Sequence, residues 1–155
     1  MSPAKVKAVN PAIKELEPLI GDWTMELSNA SFLPDPSAII RVTSRFEWIE
    51  DGDFLINHQG DKKGGEPHAT WLISRDESSP DYTAFYFDDR QVSRVYGMSF
   101  GKGVWKLWRN APGFSQRFEG KLSEDGNTLR AFWENSVDDK LWKHDFDLKY
   151  VKHEA

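Results

Sequence analysis

The chain has 155 residues, with 20 Lys and Arg against 25 Asp and Glu, a formal net charge of -5, and no cysteine. That length suits one domain over 1–155 that buries a core without metal or disulfide staples. The acidic balance excludes the concentrated basic face that nucleic-acid binding needs, and the missing thiols exclude disulfides, thiolate nucleophiles and thiolate metal sites, so neither a nucleic-acid partner nor a metal is expected.

The opening segment, MSPAKVKAVNPAIKELEPLIG, has neither the continuous apolar stretch nor the small-residue cleavage site of a signal peptide. No run approaches the roughly 18 apolar residues of a membrane span, so a cytoplasmic location is the expectation. Asn10 before Pro11 reads as an N-cap with proline in the first turn. Ile13, Leu16 and Ile20 recur at helical spacing, which predicts one short helix over about 11–19.

From Gly21 the period becomes two. Trp23, Met25 and Leu27 alternate with Asp22, Thr24, Glu26 and Ser28, the pattern of a half-buried strand. In the next strand Ile40, Val42, Phe46 and Trp48 share a face with Ser44, opposite Arg41, Thr43, Arg45 and Glu47. EDGD (50–53) carries an Asp-Gly hairpin signal, and FLINHQG returns with Phe54, Ile56 and His58 on the inward parity. Further strands are predicted near 68–75, 81–88, 91–100, 103–109, 114–121, 128–135 and 140–151, separated by turn chemistries such as ESSP, DDR, GKG, NAPG and EDGN.

Short strands joined by tight turns pair sequentially and antiparallel. About ten of them are too many for an open twisted sheet, and closure removes the exposed edges. The expected fold is therefore all-β: an antiparallel up-and-down meander barrel of about ten strands over about 21–152, with a short N-terminal helix. A two-sheet sandwich competes, but only NASFLPDPS (29–37) and GDKKGGEP (60–67) offer the longer connections of Greek-key crossovers.

In a barrel one parity faces the interior, so polar residues sharing a parity with apolar neighbours are the informative ones. Trp142, His144, Phe146, Leu148 and Tyr150 alternate with Lys143, Asp145, Asp147 and Lys149. His144 thereby points inward, as a core histidine bonded to a neighbour or as a ligand-binding or catalytic group. His58 carries the same two readings, and His68, sharing a face with Thr70 and Ser74, reads as surface. Arg94 precedes Tyr96, Met98 and Phe100 on one parity. A guanidinium there must stand at the open rim, pair with a side chain such as Asp88, or hold an anion. Gln116 lies between Phe114 and Phe118, Tyr86, Tyr96 and Tyr150 add hydroxyls, and Trp133 adds a lining ring.

GMSFG (97–101) spells a nucleophile elbow, but the elbow needs a strand followed by a helix, and here another strand follows, with Ser99 on the outward parity. Trp105 and Trp108 fall on opposite faces, as do Tyr82 and Tyr86 against Phe85 and Phe87, so some rings lie outside, covered by the helix or forming a subunit interface.

A leading helix, the Gly-x-Trp of Gly21 and Trp23 on the first strand and the run of antiparallel strands resemble the calycin superfamily of lipocalins, fatty-acid-binding proteins and nitrobindin-like barrels, and LEPLIGDW and EDGNTLRAFWENSVDDKLWKHDFDLKY most resemble bacterial lipocalin-like barrels without assigned function. The resemblance implies that Trp23 packs at the closed end of the barrel. The disulfides of secreted lipocalins are missing, Thr24 and Glu26 stand where nitrobindins carry further glycines, and the last strand lacks the paired Arg and Tyr with which fatty-acid-binding relatives hold a carboxylate.

Four functions follow as expectations. The first is binding of a largely apolar small molecule in an aromatic-lined cavity, oriented by His58, Tyr86, Arg94, Tyr96, Gln116, Trp133 and His144 with no cofactor. The second is a cyclase or isomerase acting on a polyketide- or terpenoid-like substrate, with His144 or His58 as general acid or base. The third, implied by the nitrobindin likeness, is haem binding with His144 as axial ligand. The fourth is a packed barrel serving as an interaction module, with a homodimer through the outer rings.

Overall fold

The computed structural model describes residues 10–61, 65 and 67–154. A 3-10 helix, Pro11–Leu19, precedes ten strands: β1 (Gly21–Ser28), β2 (Ile40–Ile49), β3 (Phe54–Gln59), β4 (Ala69–Ser74), β5 (Tyr82–Asp88), β6 (Ser93–Gly101), β7 (Val104–Arg109), β8 (Ser115–Leu122), β9 (Thr128–Ser136) and β10 (Lys143–Lys152). Each strand pairs antiparallel with the next, and β1 pairs with β10, so the sheet closes into the expected meander barrel. Among the described residues no helix is long and apolar enough to cross a membrane.

The Asn10 side chain caps the helix by accepting from the Ala12 N–H at 2.9 Å, with Pro11 at the first position. Buried Ile13, Leu16 and Leu19 are spaced by three, which matches the 3.0 residues per turn of a 3-10 helix, and Pro18 inside the segment denies the chain an α-helical N–H. Leu19, rather than Ile20, completes the buried stripe.

The helix lies across the end of the barrel where β1 begins. Arg75 donates to the Ala12 carbonyl at 2.9 Å, the Tyr82 hydroxyl donates to Glu15, and the Lys152 ammonium donates to the Pro18 carbonyl at 3.2 Å. Trp23 seals that floor as its motif implied. It is 1 % exposed, its indole N–H donates to the Leu19 carbonyl at 2.9 Å, and its ring meets Tyr150 edge to face.

Parity follows the expectation on β6 and β8, where Met98, Phe100 and Phe118 face the core. On β5 and β7, where the sequence left the face open, Tyr82, Trp105 and Leu107 face the core, while Phe85 and Phe87 on β5 and Val95 on β6 remain exposed outside. The helix does not cover this outer band. Residues 97–101 lie within strand β6, not at a strand-to-helix turn, so the elbow geometry is absent there. Gly97 has a packing reason instead. It pairs with Trp108 on β7, and a Cβ at this position would sit 2.3 Å from the indole nitrogen. The ring covers the bare backbone. Gly97→Ala is therefore expected to lower stability by about 1–2 kcal/mol, because a side chain and not backbone must give way. The midpoint of urea unfolding, at unchanged slope, measures it.

Two strands depart from the expected parity. On β3 the buried residues are Leu55 and Asn57, so Phe54, Ile56 and His58 turn outward. FLINHQ is apolar at three consecutive positions, 54 to 56, and both parities offered a plausible face. On β10 the pairing shifts between His144, opposite Glu134, and Phe146, opposite Trp133. The extra residue, Asp145, makes a β-bulge that reverses the alternation on its N-terminal side. Phe146, Leu148 and Tyr150 keep the inward face, and His144 is thrown outward. The strand also starts at Lys143, later than expected, because Asp138 Oδ1 accepts from the Lys140 and Leu141 N–H groups and prolongs the turn.

Candidate ligand cavity

The inward side chains do not fill the barrel. A cavity of about 950 Å³ runs from Tyr150 and Trp105 at its depth to an opening at the end opposite the helix. Its middle is a wall of mutually packed rings. Trp71 lies 4.8 Å from Tyr86 and 5.1 Å from Tyr96, Tyr96 lies 5.7 Å from Trp133, and the Trp71 and Trp133 rings are nearly parallel, 19° apart with centroids at 6.5 Å. Met25, Leu107, Phe118 and Leu148 complete the apolar surface. Rings braced against one another hold their rotamers, so the cavity is shaped before any ligand arrives.

Polar groups gather at the opening. Arg94 pairs across strands with Tyr86 and reaches Gln116, its Nη1 standing 3.4 Å from Oε1. The Tyr96 hydroxyl donates to the same oxygen at 2.7 Å. Burial raises the Tyr96 phenol against the opposing effect of the Arg94 hydrogen bond and of nearby Arg109 and Arg90. Tyr150 is raised by burial alone, so both remain protonated donors near neutrality. Deeper in, buried Asn57 donates to Ser44 Oγ at 2.9 Å, while Asn57 Oδ1 and the Trp105 indole N–H have no partner among the described residues.

Asp88, at the end of β5, organises the rim. It accepts from Arg90 Nη2 at 2.6 Å, from the Tyr86 hydroxyl at 2.8 Å and from the Arg90 N–H at 2.9 Å. Burial opposes its ionisation, but these bonds outweigh that and hold the carboxyl down to about 2. A carboxylate depressed in the folded state stabilises fully above its unfolded value near 3.9, and the contribution is lost as pH falls through about 2. The Asp88 side chain is only 4 % exposed, so the increment converts to about 2 kcal/mol. Asp88→Asn should remove it: the variant is less stable at pH 6, and its deficit closes between pH 4 and 2. Chemical unfolding across that range is the measurement.

The residues singled out from sequence divide cleanly. Tyr86, Arg94, Tyr96, Gln116 and Trp133 all line the cavity and touch one another in the pairs just described. His58 and His144 do not join them. His58 stands outside, 3.7 Å from Glu47, and His144 Nε2 stands 2.7 Å from Asp147 Oδ1. Neither reaches the interior, which removes the acid or base assigned to a cyclase or isomerase.

Asp88 pairs with Arg90 and not with Arg94, and His68, expected on the surface, edges the opening 3.5 Å from Asp89. Asn57 was missed. The signal for it was Ser44, a hydroxyl between Val42 and Phe46 that had to find a buried partner.

Haem ligated by His144 does not fit these residues, because that imidazole lies on the outer face. Among the described residues only His68 brings an imidazole to the cavity, at its rim and beside a carboxylate.

No family model matches the chain, and no curated protein matches it. Among solved structures it is similar to the crystal structure of Rv2717c from M. tuberculosis, with a TM-score of 0.61 and 12 % identity over 93 % of this chain and 98 % of that one. At that identity the likeness concerns the backbone path alone. Together with the closed ten-strand ring, it shows the fold alone, an antiparallel meander β-barrel.

Proposed function

We propose that this chain binds a largely apolar small molecule inside the barrel. The observation that supports the reading is the aromatic-walled cavity of about 950 Å³, closed at one end by the helix and open at the other. Affinity would come from apolar area removed from water, and orientation from the few polar groups at the opening.

Neutral 1-pyrenebutanol tests the proposal directly. It should quench tryptophan emission saturably at one site, and Leu148→Trp, which puts a larger ring into the lining, should weaken it at least about tenfold. A wild-type barrel that takes up no such molecule would sink the reading. Native mass spectrometry of protein from its own source would show a co-purified ligand in the same measurement as the oligomeric state. The second reading, self-association, draws on the outer band, where Phe85 and Val95 are cross-strand neighbours 43 % and 56 % exposed.

A further inference from the structure

We infer that the ligand carries an anionic head, a carboxylate in the simplest case, gripped at the open end by Arg94 and Gln116. The inference rests on the binding reading above and adds the charge and direction of the ligand. Arg94 stands on the inner parity of β6, and its contacts are neutral: Gln116 Oε1 at 3.4 Å and the Phe114 ring, whose centroid lies 5.4 Å away. Among the described residues no carboxylate lies within ion-pair distance of it.

The acidic groups around the opening are already engaged. Asp88 holds Arg90, Asp89 lies beside His68, and Asp145 accepts from Ser31 Oγ at 3.3 Å. Arg94 is half-buried at the opening with its charge unpaired, so an anion entering the cavity would meet a guanidinium with no competing carboxylate.

Gln116 supplies the second donor. The residue is nine-tenths buried, at 9 % exposure. A guanidinium can only donate, so the atom facing Arg94 is the amide oxygen, which also takes the Tyr96 hydroxyl. The Nε2 group is left with no partner among the described residues, on a residue that lines the cavity. A charged fork beside an amide N–H matches the two oxygens of a carboxylate. The apolar body of the ligand would then descend along Trp71 and Trp133.

Matched molecules differing only in the head decide the matter: 1-pyrenebutyrate against 1-pyrenebutanol, titrated by tryptophan quenching. Wild type should bind the acid at least about tenfold more tightly, Arg94→Met should erase that preference while still binding the alcohol, and Arg41→Gln on the outer face should preserve it. Arg94→Gln serves if Arg94→Met does not fold. Equal affinities in wild type, or a preference that survives the loss of Arg94, would overturn the anionic head and leave the cavity reading standing. Uptake of neither molecule would overturn both.

Discussion

Trp23→Ala should cost about 3–5 kcal/mol, the range for deleting a fully buried tryptophan from a packed core. The indole does three things at once. It fills the space between the helix and Tyr150, its N–H satisfies the Leu19 carbonyl at 2.9 Å, and the Lys152 ammonium lies 5.1 Å from its ring centroid. Alanine leaves a void beneath the cavity and a buried carbonyl without its donor. Trp23→Phe separates the contributions, because it restores most of the volume and forfeits the hydrogen bond, for about 1–2 kcal/mol. Guanidinium unfolding of both variants reads the difference. If alanine and phenylalanine cost the same, Trp23 is not the plug of the closed end.

Gly60→Ala is expected to follow at about 3 kcal/mol, summing a left-handed backbone with an overpacked contact. Gly60 has φ +83, and a Cβ there would fall 2.1 Å from the Pro67 carbonyl oxygen and 3.1 Å from the His68 Cα. Both obstacles are backbone, so no rotamer change relieves them, unlike the ring over Gly97. The residue sits where β3 turns toward β4, and its N–H donates to the Thr43 carbonyl at 2.9 Å. A stability within about 0.5 kcal/mol of wild type would show that this turn adapts. Hydrogen exchange along β3 and β4 would locate any loosening.

The architecture was legible because it depends on a signal repeated ten times. Period-two alternation bounded by turn residues survives an error in any one strand, and so the meander, the closure and the leading helix could all be read. The site depended on single parities, which are fragile. The inward parity of Arg94, Tyr96 and Gln116 was legible because β6 and β8 alternate without interruption and carry large apolar neighbours on one face only. His58 was misplaced because Phe54, Leu55 and Ile56 make the two faces of β3 equally apolar. His144 was misplaced for a different reason: a bulge costs one residue and leaves no compositional trace, since Asp145 fits as well on an outer face as at a bulge beside the opening. Asp88 was matched to Arg94 because both were candidates for the opening, whereas the convergence of Tyr86 and Arg90 on it exists only in three dimensions.

The β1 to β10 seam has a kinetic side. Nine of the ten strand pairings join neighbours along the chain, while the tenth joins its ends, as in the contact between Thr24 and His153, 129 residues apart. Hairpins can assemble in sequence from local contacts, but this last zipper must bear the loop-closure entropy of almost the whole polypeptide. Until Lys152 settles over Trp23, the growing sheet presents two unpaired borders and an unsealed floor. The seam is therefore expected to close last, and stopped-flow refolding of a variant weakened at Thr24 should slow more than that of one weakened in a hairpin.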